Sequence, residues 1–282
     1  MVDSNNQQLT ARRRILQNPY AHIEDLEQLR VERLHENPYL YADRESMHSA
    51  AQAKSRKSHD IPAIEQIVTK LQREIWAKRV ELGLSLDANP VDLLQAEYAA
   101  RLLGYSYSAH PSLGWIMRGR NQIVVAGLID NSNRTIKVAT DVEPRVARFT
   151  GAHEIGHAVL HPHLGGLHRD RPLSGTTESR DRVEYEADKF AAFFLMPRKL
   201  VTEQFLSRFI APFELQELSA YALLGKSYSA ARTLFPTRRH ISRALADAIQ
   251  FNGRSFTSLS DYFGLSTEAL AIRLEELGLV DG

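Results

Sequence analysis

Pro144-Arg145-Val146-Ala147-Arg148-Phe149-Thr150-Gly151-Ala152-His153-Glu154-Ile155-Gly156-His157-Ala158-Val159-Leu160-His161 is the stretch on which the reading of this chain turns. Pro is favoured at the first position of a helix, where its missing N–H is not needed. Val146, Phe149, Ala152, Ile155 and Val159 then recur at helical spacing. The pattern predicts a helix over 144–161. Inside it His153, Glu154 and His157 form the pattern H-E-x-x-H. Residues i and i+4 stack on one helix face, so two imidazoles can hold one Zn²⁺. The Glu after the first His stands beside the open metal position, where it can take a proton from water. At this content of His and Glu, about 0.03 such matches are expected by chance.

A hydrolytic zinc site needs a third protein ligand. His163 follows His157 by the spacing of a metzincin, but Leu160 stands where that pattern needs Gly. If the helix runs on, six residues carry His163 about 240° round from His157. The other source is Glu184-Tyr185-Glu186-Ala187-Asp188. A helix is predicted over 178–196, with Val183, Phe190, Ala191 and Leu195 as apolar positions and Pro197 as its stop. Glu184 and Asp188 share one face of it. Glu184 can ligate zinc while Asp188 accepts the free N–H of a ligand His. Glu186 points about 200° away from Glu184 and is the weaker ligand. His161, His163 and His168 read as surface-loop residues; as alternatives, any of them or Tyr185 can stabilise a developing oxyanion.

Outward from these helices the pattern changes. Ile123–Ile129 and 135–139 read as strands joined by an Asp/Asn-rich turn, and 115–118 as a further short strand. Upstream, Ile64, Ile67, Val68, Leu71, Ile75 and Trp76 mark a helix that Gly83 ends. Asn89-Pro90 opens another, carried by Val91, Leu94, Tyr98 and Leu102 to Gly104. Downstream, 198–282 is mostly helical. The fold class is α+β, with helices packed around a small, mostly antiparallel sheet. Three regions are expected: 1–60, an N-terminal extension, partly helical (22–35 and 41–54) or flexible; 61–200, the core; and 201–282, a helical C-terminal region.

Composition narrows the chemistry. The 282 residues contain no cysteine, which excludes disulfides, thiolate zinc sites, iron–sulfur clusters and thiol catalysis. Any metal must sit on His, Asp or Glu, so Mn²⁺ and Fe²⁺ are chemical alternatives to Zn²⁺. Lys and Arg total 35 against 34 Asp and Glu, a net charge of +1. That balance argues against a surface built for direct nucleic-acid binding. Residues 258–270 have helix-turn-helix spacing, but the helix after the turn carries Glu268, Glu275 and Glu276 against Arg273. Such a helix suits packing or partner recognition better than a phosphate-lined groove. Arg238-Arg239-His240 reads as a solvated face. The polar start, 1–8, and the lack of a long apolar run predict no leader and no membrane span, hence a cytoplasmic location.

Phe149–Pro162 followed by Glu184–Pro197 resembles the ImmA/IrrE family of zinc metallopeptidases. The stretches 126–130 and 262–274 fit that family too, and the resemblance covers about 61–282. It implies a zincin-like core with His153, His157 and Glu184 as zinc ligands, Glu154 as general base and Asp188 behind a ligand His. Many family members carry Asn where Asp188 stands. The resemblance also implies an intracellular endopeptidase acting on a protein partner, a helix-turn-helix repressor, under stress or in mobile elements. The alternative is a zinc-containing regulator that binds such a partner without cutting it.

Overall fold

The computed structural model describes residues 59–118, 121–163, 167–170 and 182–281. The extension and its two expected short helices, 22–35 and 41–54, lie outside these. The first described helix, α1 (Ile61–Ala77), begins where Asp60 accepts the Ala63 N–H at 2.9 Å, with Pro62 in its first turn. Ile64, Val68, Leu71 and Ile75 form its buried stripe, as their spacing predicts.

The next helix departs from expectation. Asn89 accepts the Val91 N–H at 3.2 Å, and Pro90–Leu93 form a single 3₁₀ turn. The chain then leaves the helix at Leu94 and restarts as α2 (Ala96–Leu102). Leu93 and Leu94, on either side of the break, both lie in the core.

The main sheet has the order β1-β5-β4-β6. Strand β1 (Ser106–His110) runs parallel to β5 (Thr135–Ala139). Strand β4 (Gly127–Asp130) is antiparallel to β5 and to β6 (Leu167–Asp170). The Asp/Asn-rich turn joins β4 to β5, where Asp130 accepts the Asn133 backbone N–H at 3.0 Å. Two strands escaped the sequence reading. β1, Ser-Tyr-Ser-Ala-His, lacks the apolar alternation of a half-buried strand, and β6 falls in the expected loop after His161. The single expected strand over 123–129 is in fact two. β3 (Asn121–Val124) pairs with β2 (Trp115–Arg118), and β4 belongs to the main sheet.

Helix α3 (Pro144–Leu160) lies against this sheet, and α4 (Arg182–Leu195) packs on α3. α5 (Arg198–Phe209) follows Pro197. Beyond it come α6 (Glu217–Leu224), α7 (Tyr228–Leu234), α8 (Arg238–Asp247), α9 (Leu259–Phe263) and α10 (Thr267–Glu276). One cluster of buried apolar residues extends from Ile64 to Val280. Arg273 of α10 is buried in it, with its guanidinium 4.6 Å from the Phe193 ring. It donates to the Met196 carbonyl at 3.1 Å, to Glu276 at 3.2 Å and to Glu65 of α1 at 3.3 Å. The acidic side chains of α10 are answered from α8: Arg239 binds Glu275 at 2.7 Å and Glu268 at 2.5 Å, and Arg243 binds Glu268. Arg238 and Arg239 are thus clamps rather than a solvated face; Arg238 donates to the carbonyls of Val280 and Glu275.

Among the described residues, no helix is long and apolar enough to cross a membrane.

Candidate metal centre

Helix α3 carries His153 and His157 one turn apart, both 2% exposed. Their Nε2 atoms approach to 2.9 Å. Helix α4 brings Glu184 against the pair. Its Oε2 lies 3.4 Å from His153 Nε2 and its Oε1 3.7 Å from His157 Nε2. Asp188, one turn further along α4, accepts from His153 Nδ1 at 3.0 Å. That bond places the ring proton on Nδ1 and turns the Nε2 lone pair toward Glu184. Because Asp188 meets the earlier His, the two helices run in opposite directions here.

This donor set fits a zinc ion. With bonds of about 2.0–2.1 Å, a tetrahedral ion separates its ligand atoms by roughly 3.3–3.4 Å. The three separations of 2.9, 3.4 and 3.7 Å lie around that figure. The expected third ligand Glu184 therefore meets both imidazoles. His163, the other candidate, is exposed beyond the end of α3 at Leu160, and the described His/Glu group that contains both motif histidines is completed by Glu184.

Gly156 sets the depth of the helix contact. A Cβ there would fall 3.1 Å from Ala187 Cα, Ala187 O and Phe190 Cβ. With only hydrogen at this point, the α3 backbone presses onto α4 and Glu184 reaches the imidazoles. Glu154 is fully buried, with its carboxylate against β4 of the sheet. Gly127 of β4 makes room for it: a Cβ at Gly127 would stand 2.4 Å from Glu154 Oε1 and 2.5 Å from Thr150 Cγ2. Tyr107 of β1 also borders this region. Its hydroxyl lies where a Cβ on Gly151 would come within 2.5 Å. Burial first, then the charges of Glu97 and Glu154, push the Tyr107 hydroxyl up to about 12.

A second group sits beside the first. His161, only 4% exposed, continues the face of His153 and His157 by one more turn. The surface-loop reading of His161 is thereby corrected: it ends α3 facing inward, because i, i+4 and i+8 share a face. Its Nδ1 lies 3.3 Å from His157 Nδ1, and its Nε2 lies 3.1 Å from Glu186 Oε2. Burial holds His161 below its ordinary range despite the upward pull of Glu186. Glu186 also accepts from His59 Nδ1 at 3.2 Å and from Arg182 Nε at 3.1 Å. It is thus turned away from the zinc-shaped group, as its helical angle predicts. The side chain of His168 lies outside the described residues.

Sequence reasoning missed the close approaches at Gly127 and Gly156, the place of Tyr107 beside the site, and the contact of Glu186 with His161. His161 had a signal, the same four-residue step that found His157. The glycines had none, since each depends on an element distant in the chain.

No curated protein matches the chain. Residues 117–210 match the family described as Peptidase_M78, the IrrE N-terminal-like domain. That segment carries both helices and every residue of the zinc-shaped group, so the similarity to an IrrE-type metallopeptidase domain falls on the site itself.

Proposed function

We propose that the protein is a zinc-dependent endopeptidase of the cytoplasm. The observation that carries this reading is the convergence of two buried imidazoles and the Glu184 carboxylate within 4.8 Å of one another, with Glu154 in the same helical turn. His153, His157 and Glu184 would hold the metal, and Asp188 orients His153. A bound zinc ion supplies Lewis acidity toward a peptide carbonyl and toward water. Glu154 takes a proton from water at its carboxylate and passes it to the leaving amine. Its burial against Gly127 holds the carboxylate in one place, as a positioned base requires. Glu184 is the most exposed of the three ligands, its side chain 29% accessible, so substrate approaches from that side.

The substrate in this reading is a helix-turn-helix repressor, whose cleavage relieves repression under stress. The family match over 117–210 supports the metallopeptidase role, and the choice of a repressor rests on the family resemblance alone. Co-expression with a candidate repressor, followed by mass measurement, tests it. New repressor termini are expected with the wild type and none with Glu154→Gln, which keeps its zinc. Full cleavage by Glu154→Gln would remove Glu154 from the mechanism. An intact, co-purifying repressor would make the protein a zinc-containing binder instead.

A further inference from the structure

We propose that His161 and Glu186 are positioning residues for His157, and that the group His59, His161 and Glu186 is not a second metal site. The proposal rests on the reading of His153, His157 and Glu184 as the zinc ligands.

The group His59, His161 and Glu186 has the composition of a metal site, with its donor atoms within 4.8 Å of one another. Proton placement decides against that role. To ligate through Nε2, a neutral His157 must carry its proton on Nδ1. That N–H faces His161 Nδ1 at 3.3 Å and donates to it. An imidazole that accepts at Nδ1 carries its own proton on Nε2. His161 Nε2–H then faces Glu186 Oε2 at 3.1 Å and donates to the carboxylate. Every donor in this chain meets an acceptor. Placing a second metal on His161 Nε2 reverses the arrangement. His161 would then need its proton on Nδ1, and two N–H groups would confront each other across 3.3 Å.

The relay does for His157 what Asp188 does for His153. A ligand His ordinarily passes its other N–H to a carboxylate or carbonyl, which fixes the tautomer and the ring plane. For His157 the carboxylate is one imidazole further away. Arg182 holds the other oxygen of Glu186 at 3.1 Å, so the end of the relay is itself anchored.

The test uses the full chain and zinc alone, measured by competition with a chromophoric chelator and by metal analysis. The wild type is expected to bind one zinc ion. His161→Phe keeps a ring but offers no acceptor, and is expected to bind one zinc on the order of 10–100-fold more weakly. His161→Asn places an amide oxygen near the position of Nδ1 and is expected to recover part of that loss. A purely packing role predicts the opposite order, with Phe the milder change. Thermal unfolding of the zinc-free variants confirms that each is folded, and Glu186→Gln serves as a second variant at the far end of the relay. Two zinc ions in the wild type, falling to one in His161→Phe, would overturn the proposal in favour of a second site. One zinc ion of unchanged affinity in both His161→Phe and Glu186→Gln would overturn it while leaving the ligand assignment intact. No zinc in the wild type would overturn the ligand assignment, and the relay with it.

Discussion

Replacing Gly156 by Ala tests whether the close approach of α3 and α4 builds the metal centre. The added Cβ would meet Ala187 Cα, Ala187 O and Phe190 Cβ, each at 3.1 Å. Two of these are backbone atoms, which cannot swing aside. Ordinary Cβ contacts begin at 3.4 Å, so the helices must part by a few tenths of an ångström. Zinc–ligand distances tolerate only about 0.2 Å, so Glu184 can no longer close on His153 and His157. Zinc affinity is expected to fall on the order of 10–100-fold, equivalent to about 1.4–2.7 kcal/mol. Stability of the metal-free protein changes less. Overpacking costs about 1–3 kcal/mol, and Ala recovers up to ~1 kcal/mol of helix propensity over Gly. Chemical denaturation in chelator gives the stability, and competition with a chromophoric chelator gives the affinity. The signature is an affinity loss larger than the stability loss. A more stable protein with unchanged zinc affinity would refute the argument, because it would show that the helices have room to spare.

Further substitutions separate the parts of the site. Gly127→Ala drives a Cβ into the place of the Glu154 carboxylate, so repressor cleavage is expected to fall about 10²-fold while zinc binding holds, read by mass measurement beside metal analysis. Chelation removes the cation joining α3 to α4; the unfolding midpoint should therefore be higher at free zinc 100 times the dissociation constant, by the equivalent of about 2.7 kcal/mol. Identical midpoints with and without zinc would deny the metal any part in the folded structure. Arg273→Ala leaves a void beside Phe193 and takes the buried partner from Glu65 and Glu276, an expected loss of about 2–4 kcal/mol in chemical denaturation.

The fold and the site were legible in the sequence to different depths. His153, Glu154 and His157 lie within one turn of helix, so spacing alone places them together. Glu184 and Asp188 could be aligned with each other by the same rule. That they meet the imidazoles is a matter of helix pairing, which the resemblance implied and spacing did not. Helix α1 and the turn between β4 and β5 follow from local pattern and local hydrogen bonds. Strand β1 was hidden because its residues are largely exposed and polar, and its partner β5 lies 29 residues along the chain at each paired position. The break before α2 was hidden because Val91, Leu94, Tyr98 and Leu102 keep helical spacing across it. His161 was placed at the end of the predicted helix but read as a surface residue, so its inward contact with Glu186 was not anticipated.

The imidazoles of His153, His157 and His161 thus meet three carboxylates of α4, and Glu184 is the one that faces both His153 and His157. The partition follows from which ring nitrogen each one reaches. Glu184 lies 3.4 and 3.7 Å from the two Nε2 atoms that face each other. Asp188, shorter by one methylene, meets the far side of His153 at Nδ1. Glu186 reaches the imidazole past the pair, His161, and is drawn there by Arg182 and His59 as well. A longer side chain at 188 or a wider gap between the helices would change these assignments together. The residue that sets the gap, Gly156, touches none of the ligand atoms. The backbone contact between Gly156 and Ala187 sets how closely the carboxylates of α4 approach the imidazoles of α3.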